Sequence, residues 1–169
     1  VVARAMGAGS PTTAITAGLD GLWLALGLGA IAAAVVTAAA DPLTAAFGAS
    51  AAAQEQATTY LRIGALGLPP MLVLLAVTGA LRGLLDTRTP MLVAVAGFAV
   101  NIALNLAFDH GLHWGIAGSA WGTVIAQTGM ALALTAVLLR KARATHAPLR
   151  PHPGRVLAAA RNGIPLVVR

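Results

Sequence analysis

Asn101 and Asn105 lie four residues apart in a stretch that is otherwise apolar, and Thr123 and Gln127 repeat that spacing in the next such stretch. Residues four apart share a face of an α-helix, so each pair draws a polar stripe along an oily rod. An amide in lipid costs free energy unless it finds a partner, which turns such stripes toward another helix or a watery interior. The chemistry open to them is binding rather than bond-breaking: amide and hydroxyl oxygens accept from a donor or surround a small cation, and amide N–H groups donate. Two readings fit. One is interhelical glue, worth roughly 0.6 to 2 kcal/mol. The other is a polar pocket for an ion or for a substrate's hydrogen-bonding groups. Asp109 falls one turn beyond Asn105 on the same face, at the end of the stretch, where a solvated cap competes with a role in the pocket.

The elements that must position these side chains follow from charge. Charged residues make up 9% of the chain and mean hydropathy is +0.82, against roughly 25% charged in soluble domains. Residues 21–40, 63–81, 89–108 and 114–139 are uncharged, and each is long enough to cross a hydrocarbon core of about 30 Å as a helix. Strands fit poorly, because barrel segments alternate over about 10 residues whereas these runs are apolar on every face. The sequence therefore predicts an all-α, polytopic membrane helix bundle with spans at about 18–40, 60–81, 89–108 and 115–139. Residues 1–143 form its helical part, 144–154 a proline-containing cytoplasmic linker, and 155–169 the start of a further membrane helix. Val1 to Met6 reads as the tail of an earlier helix, 45–59 as an Ala-rich interfacial segment, and the whole as an internal fragment of a longer polytopic protein.

A formal charge of +6 would suggest nucleic acid in a soluble protein. Here its placement reads as topology. Arg4, Arg82, Arg88, Arg140, Lys141, Arg143, Arg150, Arg155 and Arg161 all fall on one side of the predicted spans, whereas Arg62 shares the other side with Asp41, Glu55, Asp109, His110 and His113. The positive-inside rule makes the arginine-rich side cytoplasmic; the expected location is the cell's inner (plasma) membrane, and no nucleic-acid partner is expected. The expected partners are the lipid bilayer, a small organic substrate and the remainder of the same polypeptide.

Punctuation within the spans adds a second signal. Pro69 and Pro70 remove backbone donors near the middle of span two, which predicts a kink or broken turn, either a static bend or a hinge between two states. Gly111, Gly115, Gly118 and Gly122 give small-xxx-small spacings that admit a close helix neighbour. His110 and His113 have no Cys or His cluster around them, so no metal site is expected. With no cysteine, no Ser-His-Asp set, no HExxH and no Walker loop, an enzyme and a resident cofactor are likewise not expected.

Four segments in register carry a resemblance. Tyr60-Leu-Arg-Ile-Gly-Ala-Leu-Gly-Leu-Pro69, Arg82-Gly-Leu-Leu-Asp-Thr-Arg-Thr-Pro90, Asn101-Ile-Ala-Leu-Asn105 and Gly115-Ile-Ala-Gly-Ser-Ala-Trp-Gly-Thr-Val-Ile-Ala-Gln127 together resemble the multidrug and toxic-compound extrusion (MATE) transporters, DinF-like branch. The resemblance implies helices three to six of the amino-terminal lobe of a twelve-helix antiporter, which expels drug-like, often cationic, compounds by alternating access driven by a proton or sodium gradient. In that branch a polar network joins an aspartate on the first helix, an asparagine and an aspartate four apart on the fifth, and a threonine on the sixth. Asn101 matches the asparagine and Thr123 the threonine, while Asn105 stands where the fifth-helix aspartate would be. A carboxamide does not titrate in this range, so the resemblance leaves that position without a proton carrier.

The leading function is thus a secondary-active exporter. A lipid-linked precursor flippase of the same superfamily is the alternative, and would call for a cationic cavity that the uncharged runs of spans two to four do not supply. The third possibility is a non-transporting membrane structural module, in which the amides and glycines serve packing alone.

Overall fold

The computed structural model describes residues 1–48, 50–149 and 154 of the chain. Among them the secondary structure is helical: α1 (Val2–Gly7), α2 (Pro11–Ala45), α3 (Ala51–Ala65), α4 (Leu68–Gly83), α5 (Arg88–Leu106), a π-helical continuation of α5 (Ala107–Gly111) and α6 (Gly115–Ala144). The further helix expected over 155–169, with Arg155 and Arg161, and most of the linker's second half lie outside the described residues.

Pro11 opens α2, where its missing N–H has no acceptor to lose and its fixed φ suits the first turn. With 35 residues the helix runs about 52 Å, longer than a hydrocarbon core needs. Its last turn holds Asp41 and Pro42, and Arg62 of α3 meets Asp41 there through an exposed ion pair of 2.7 Å.

Span two is divided. Helices α3 and α4 meet at a 40° bend across the break at Leu66 and Gly67. The prolines explain its place: a proline ring inside a helix clashes with the preceding turn, but in a first turn it costs nothing. Pro69 and Pro70 therefore begin α4 rather than kinking a continuous helix, and the break falls just before them. The Ala-rich stretch read from sequence as interfacial is likewise not separate, because α3 runs unbroken from Ala51 into the upper part of the span. Pro69 is also pressed on α2. A Cβ built on Gly29 would come within 2.5 Å of Pro69 Cα, so the absence of a side chain there lets the two backbones approach.

The core is assembled from α2, α4 and α6 near the arginine-rich ends of those helices. Ile15 and Leu19 of α2, Val77 and Leu81 of α4, and Leu134 and Leu138 of α6 are its centre. In lipid there is little hydrophobic gain from moving a leucine off the bilayer and onto a neighbour, so what these residues contribute is close packing. After α6 the chain folds back over this core: Ala147 is buried and the Trp23 indole N–H donates to Leu149 O at 3.4 Å. By contrast α5 is peripheral. Its membrane-spanning window is 6% buried against 39% for α6, and α6 is the helix it packs on.

Candidate functional site

The α5–α6 seam is set by glycines. On α5, Gly97 sits directly beneath the Met130 side chain of α6. Further along, Gly122 of α6 faces Asn105, whose Oδ1 would lie 2.7 Å from any added Cβ. Gly118 admits Phe108 and Trp114 in the same way. Of the four spaced glycines read from sequence, Gly118 and Gly122 thus take a close neighbour, while Gly111 and Gly115 have nothing within 4 Å.

Close approach brings three of the polar side chains together. Asn105 Nδ2 donates to Asn101 Oδ1 at 3.2 Å, Asn101 Nδ2 donates to Thr123 Oγ1 at a long 3.5 Å, and the Thr123 hydroxyl donates to Ser119 O at 3.1 Å. Every bond in this relay points the same way, from Asn105 across to α6. Its far end is closed by a backbone carbonyl. Its near end is open: Asn105 Oδ1 is buried and has no hydrogen-bond partner among the described residues.

Gln127 does not join the relay, although it shares a helical face with Thr123. Its Oε1 lies 2.9 Å from where a Cβ of Gly67 would be, so it packs on the α3–α4 break instead. The reason is the order of helices around α6, with α5 on one flank and the bent pair on another. Asp109 is also apart from the relay. It belongs to the π-helical turn, whose wider winding is marked by the bond from Leu112 N–H to Ala107 O at 3.1 Å, and its side chain is exposed while Asn101 and Asn105 are half-buried. The histidines stay at the same end. His113 is exposed and, among the described residues, no group of three metal-ligating side chains forms.

Two acids were not singled out by sequence. Asp20 is 5% exposed, inside α2. It stands one residue before the first uncharged run, where it reads as that run's boundary; its spacing from the buried Thr16, four residues earlier, was the available signal. Asp86 lies in the charged turn between α4 and α5. It accepts from the Thr89 N–H at 3.1 Å and hydroxyl at 3.0 Å and pairs with Lys141 of α6 at 3.2 Å. Burial is the largest single influence on its carboxyl and pushes the pKa up. The Thr89 bonds and Lys141 together outweigh it and hold the group below its ordinary 3.8.

Three long helices and one bent pair are apolar enough to cross a membrane, and the segments that carried the resemblance fall in order on the bent pair, the α4–α5 turn, α5 and α6. The MatE family profile matches residues 1–107. The chain belongs to the MATE family. It is 36% identical over 127 residues to DNA damage-inducible protein F of Escherichia coli (strain K12), a match covering 75% of this chain and 28% of that protein. It is 43% identical over 82 residues to Protein DETOXIFICATION 43 of Arabidopsis thaliana (48% of this chain, 16% of that protein). It is 44% identical over 71 residues to Protein DETOXIFICATION 44, chloroplastic, of the same plant (42% and 14%). The chain therefore spans under a third of each of these relatives. No solved structure matches it. As a MATE protein it is a multi-pass membrane protein of a transporter family, built as an all-α bundle.

Proposed function

We propose that the full-length protein is a secondary-active antiporter that exports drug-like, cationic organic compounds by alternating access, and that this chain supplies part of its amino-terminal lobe. The observation that carries the reading is the open end of the relay. A buried acceptor left without a donor is unfavourable by about 1 to 3 kcal/mol, and a helix seam serving packing alone gains nothing by keeping one. A substrate N–H or a sodium ion arriving at Asn105 Oδ1 relieves that cost, and leaving restores it, which suits a site that must both load and release.

Coupling cannot use Asn105 as a proton carrier, because a carboxamide does not exchange its proton in this way. Either sodium is held by the amide and hydroxyl oxygens, or a proton is carried by an acid elsewhere. Asp20, enclosed within a membrane helix, is the acid this chain offers for the second route. The break between α3 and α4, with Gln127 against it, is the place where the lobe would bend between two states. Export rather than lipid-precursor flipping is favoured because, of the two arginines in the bent pair, Arg62 is neutralised by Asp41 and Arg82 lies in the last turn of α4, at the arginine-rich end. The positive-inside rule assigns the arginine-rich end to the cytoplasm, in a protein of the inner membrane.

The test is flux through the full-length protein in proteoliposomes, with a fluorescent organic cation and an imposed proton or sodium gradient. Gradient-dependent uptake is expected, and the ion that supports it names the coupling route. No flux under either gradient would overturn the exporter in favour of a structural module.

A further inference from the structure

A carboxylate and an indole line one open cleft at the end of the bundle away from the arginines. The cleft, of about 510 Å³, lies between the first turns of α3 and the start of α6, with Glu55, Gln56 and Thr59 on one wall and His113 and Trp114 on the other. A second cleft of about 490 Å³ shares Glu55 and Thr59 with it. There Asp41 and Arg62 cancel through their ion pair. Glu55 makes no ion pair among the described residues, so it sets the net charge of both.

The indole is held rather than loose. Backbone φ is +55° at His113 and +55° at Gly115, on either side of Trp114, and a left-handed conformation at a histidine is uncommon enough to mark a constrained turn. The Trp114 backbone N–H donates to the Phe108 carbonyl at 3.0 Å, and the indole ring itself stacks on Phe108 with centroids 5.2 Å apart. Half of the residue nevertheless remains exposed. An aromatic ring and a carboxylate without an ion pair among the described residues, lining one cleft, attract an organic cation twice over, by charge and by the ring's quadrupole. A hard metal ion would instead want a shell of oxygens, which the indole denies it. The start of α6 also borders the cleft, but its partial positive charge is about half a unit against the full charge of Glu55.

We propose that this cleft is a second, peripheral binding site for organic cations, on the membrane side opposite the arginine-rich end. It rests on the export reading for its role, a resting point at the exit, though not for its chemistry.

The experiment places Thr59→Cys in a cysteine-free background of the full-length protein and compares thiol modification by a cationic trimethylammonium methanethiosulfonate and an anionic sulfonate analogue, with tetraphenylphosphonium as the competing probe. The cationic reagent should be favoured, and tetraphenylphosphonium should slow it. Glu55→Gln, an exposed change that leaves packing alone, should cut the cationic-to-anionic rate ratio by about fivefold, while Glu55→Asp keeps it. Trp114→Phe should weaken protection by about two- to fivefold. No protection, protection by tetraphenylborate instead, or a ratio indifferent to Glu55→Gln would overturn the site. Labelling needs no transport, so intact protection without gradient-driven flux would overturn the export reading and leave the cation site standing, whereas flux without protection would do the reverse.

Discussion

The two halves of this bundle are built on different terms. Toward the arginine-rich end, α2, α4 and α6 interlock through fully buried aliphatic side chains such as Val77, Leu81 and Leu138, and the Asp86–Lys141 pair ties the α4–α5 turn to the end of α6. Toward the other end the contacts of α6 with α5 and with the α3–α4 break include amides, a hydroxyl and bare glycines: Asn105 against Gly122, Asn101 against Thr123, Gln127 against Gly67. Branched aliphatic packing tolerates no change of shape, because each lost contact is a void. Hydrogen bonds between amides can be remade with water, an ion or a substrate at small net cost. The first half is suited to staying as it is, and the second to exchanging partners.

The largest expected effect comes from breaking the rigid half. Leu138→Ala opens a cavity at a residue with no exposed surface, and should lower the stability of the full-length protein by about 2 to 5 kcal/mol, read as thermal unfolding in detergent. Transport per folded molecule should hold. A comparable fall in both would mean that the two halves are not separable.

Gly122→Val attacks the other half. Its Cβ would lie 2.7 Å from Asn105 Oδ1, so the relay must shift, at a cost of about 1 to 3 kcal/mol. Here the order should invert, with efflux nearly lost while the protein still folds. Normal efflux from this variant would show that the seam carries packing only.

Asp86→Asn should cost least, about 1 kcal/mol, since Lys141 is 38% exposed and water screens the pair. Its pH dependence sharpens the assignment. The folded pKa lies below the unfolded value, so the carboxylate's contribution is complete above 3.8 and is lost as pH falls through the lower folded value. Wild type and Asp86→Asn should therefore differ in melting temperature near neutral pH and converge on acidification below 3.8. A constant gap would assign the effect to side-chain shape.

How much of this was legible in the sequence differs between the same two halves. The helical character of α2, α5 and α6 follows from uncharged length, and the shared face of Asn101 and Asn105 from helical period alone. That Thr123 meets them and Gln127 does not depends on which helices flank α6, and period carries no information about neighbours. The prolines told that span two is interrupted; that they open a helix rather than bend one follows from the break at Gly67, which gives the chain a cheaper place to turn. Asp20 and Asp86 were passed over for one reason. Each reads as the boundary of an apolar run, where an acid is expected to be solvated; the burial of Asp20 and the pairing of Asp86 with Lys141 depend on how the helices pack, which the run lengths do not give.

The central claim is that the relay lines a route for substrate or ion, and the comparison of Asn105→Ala with Asp109→Asn in full-length protein tests it most directly. The first leaves Asn101 Oδ1 without its donor and removes the buried open acceptor; the second alters an exposed residue outside the relay. Efflux of an organic cation, corrected for folded protein in the membrane, should fall about tenfold in Asn105→Ala and stay near wild type in Asp109→Asn. Wild-type efflux from both would contradict the account.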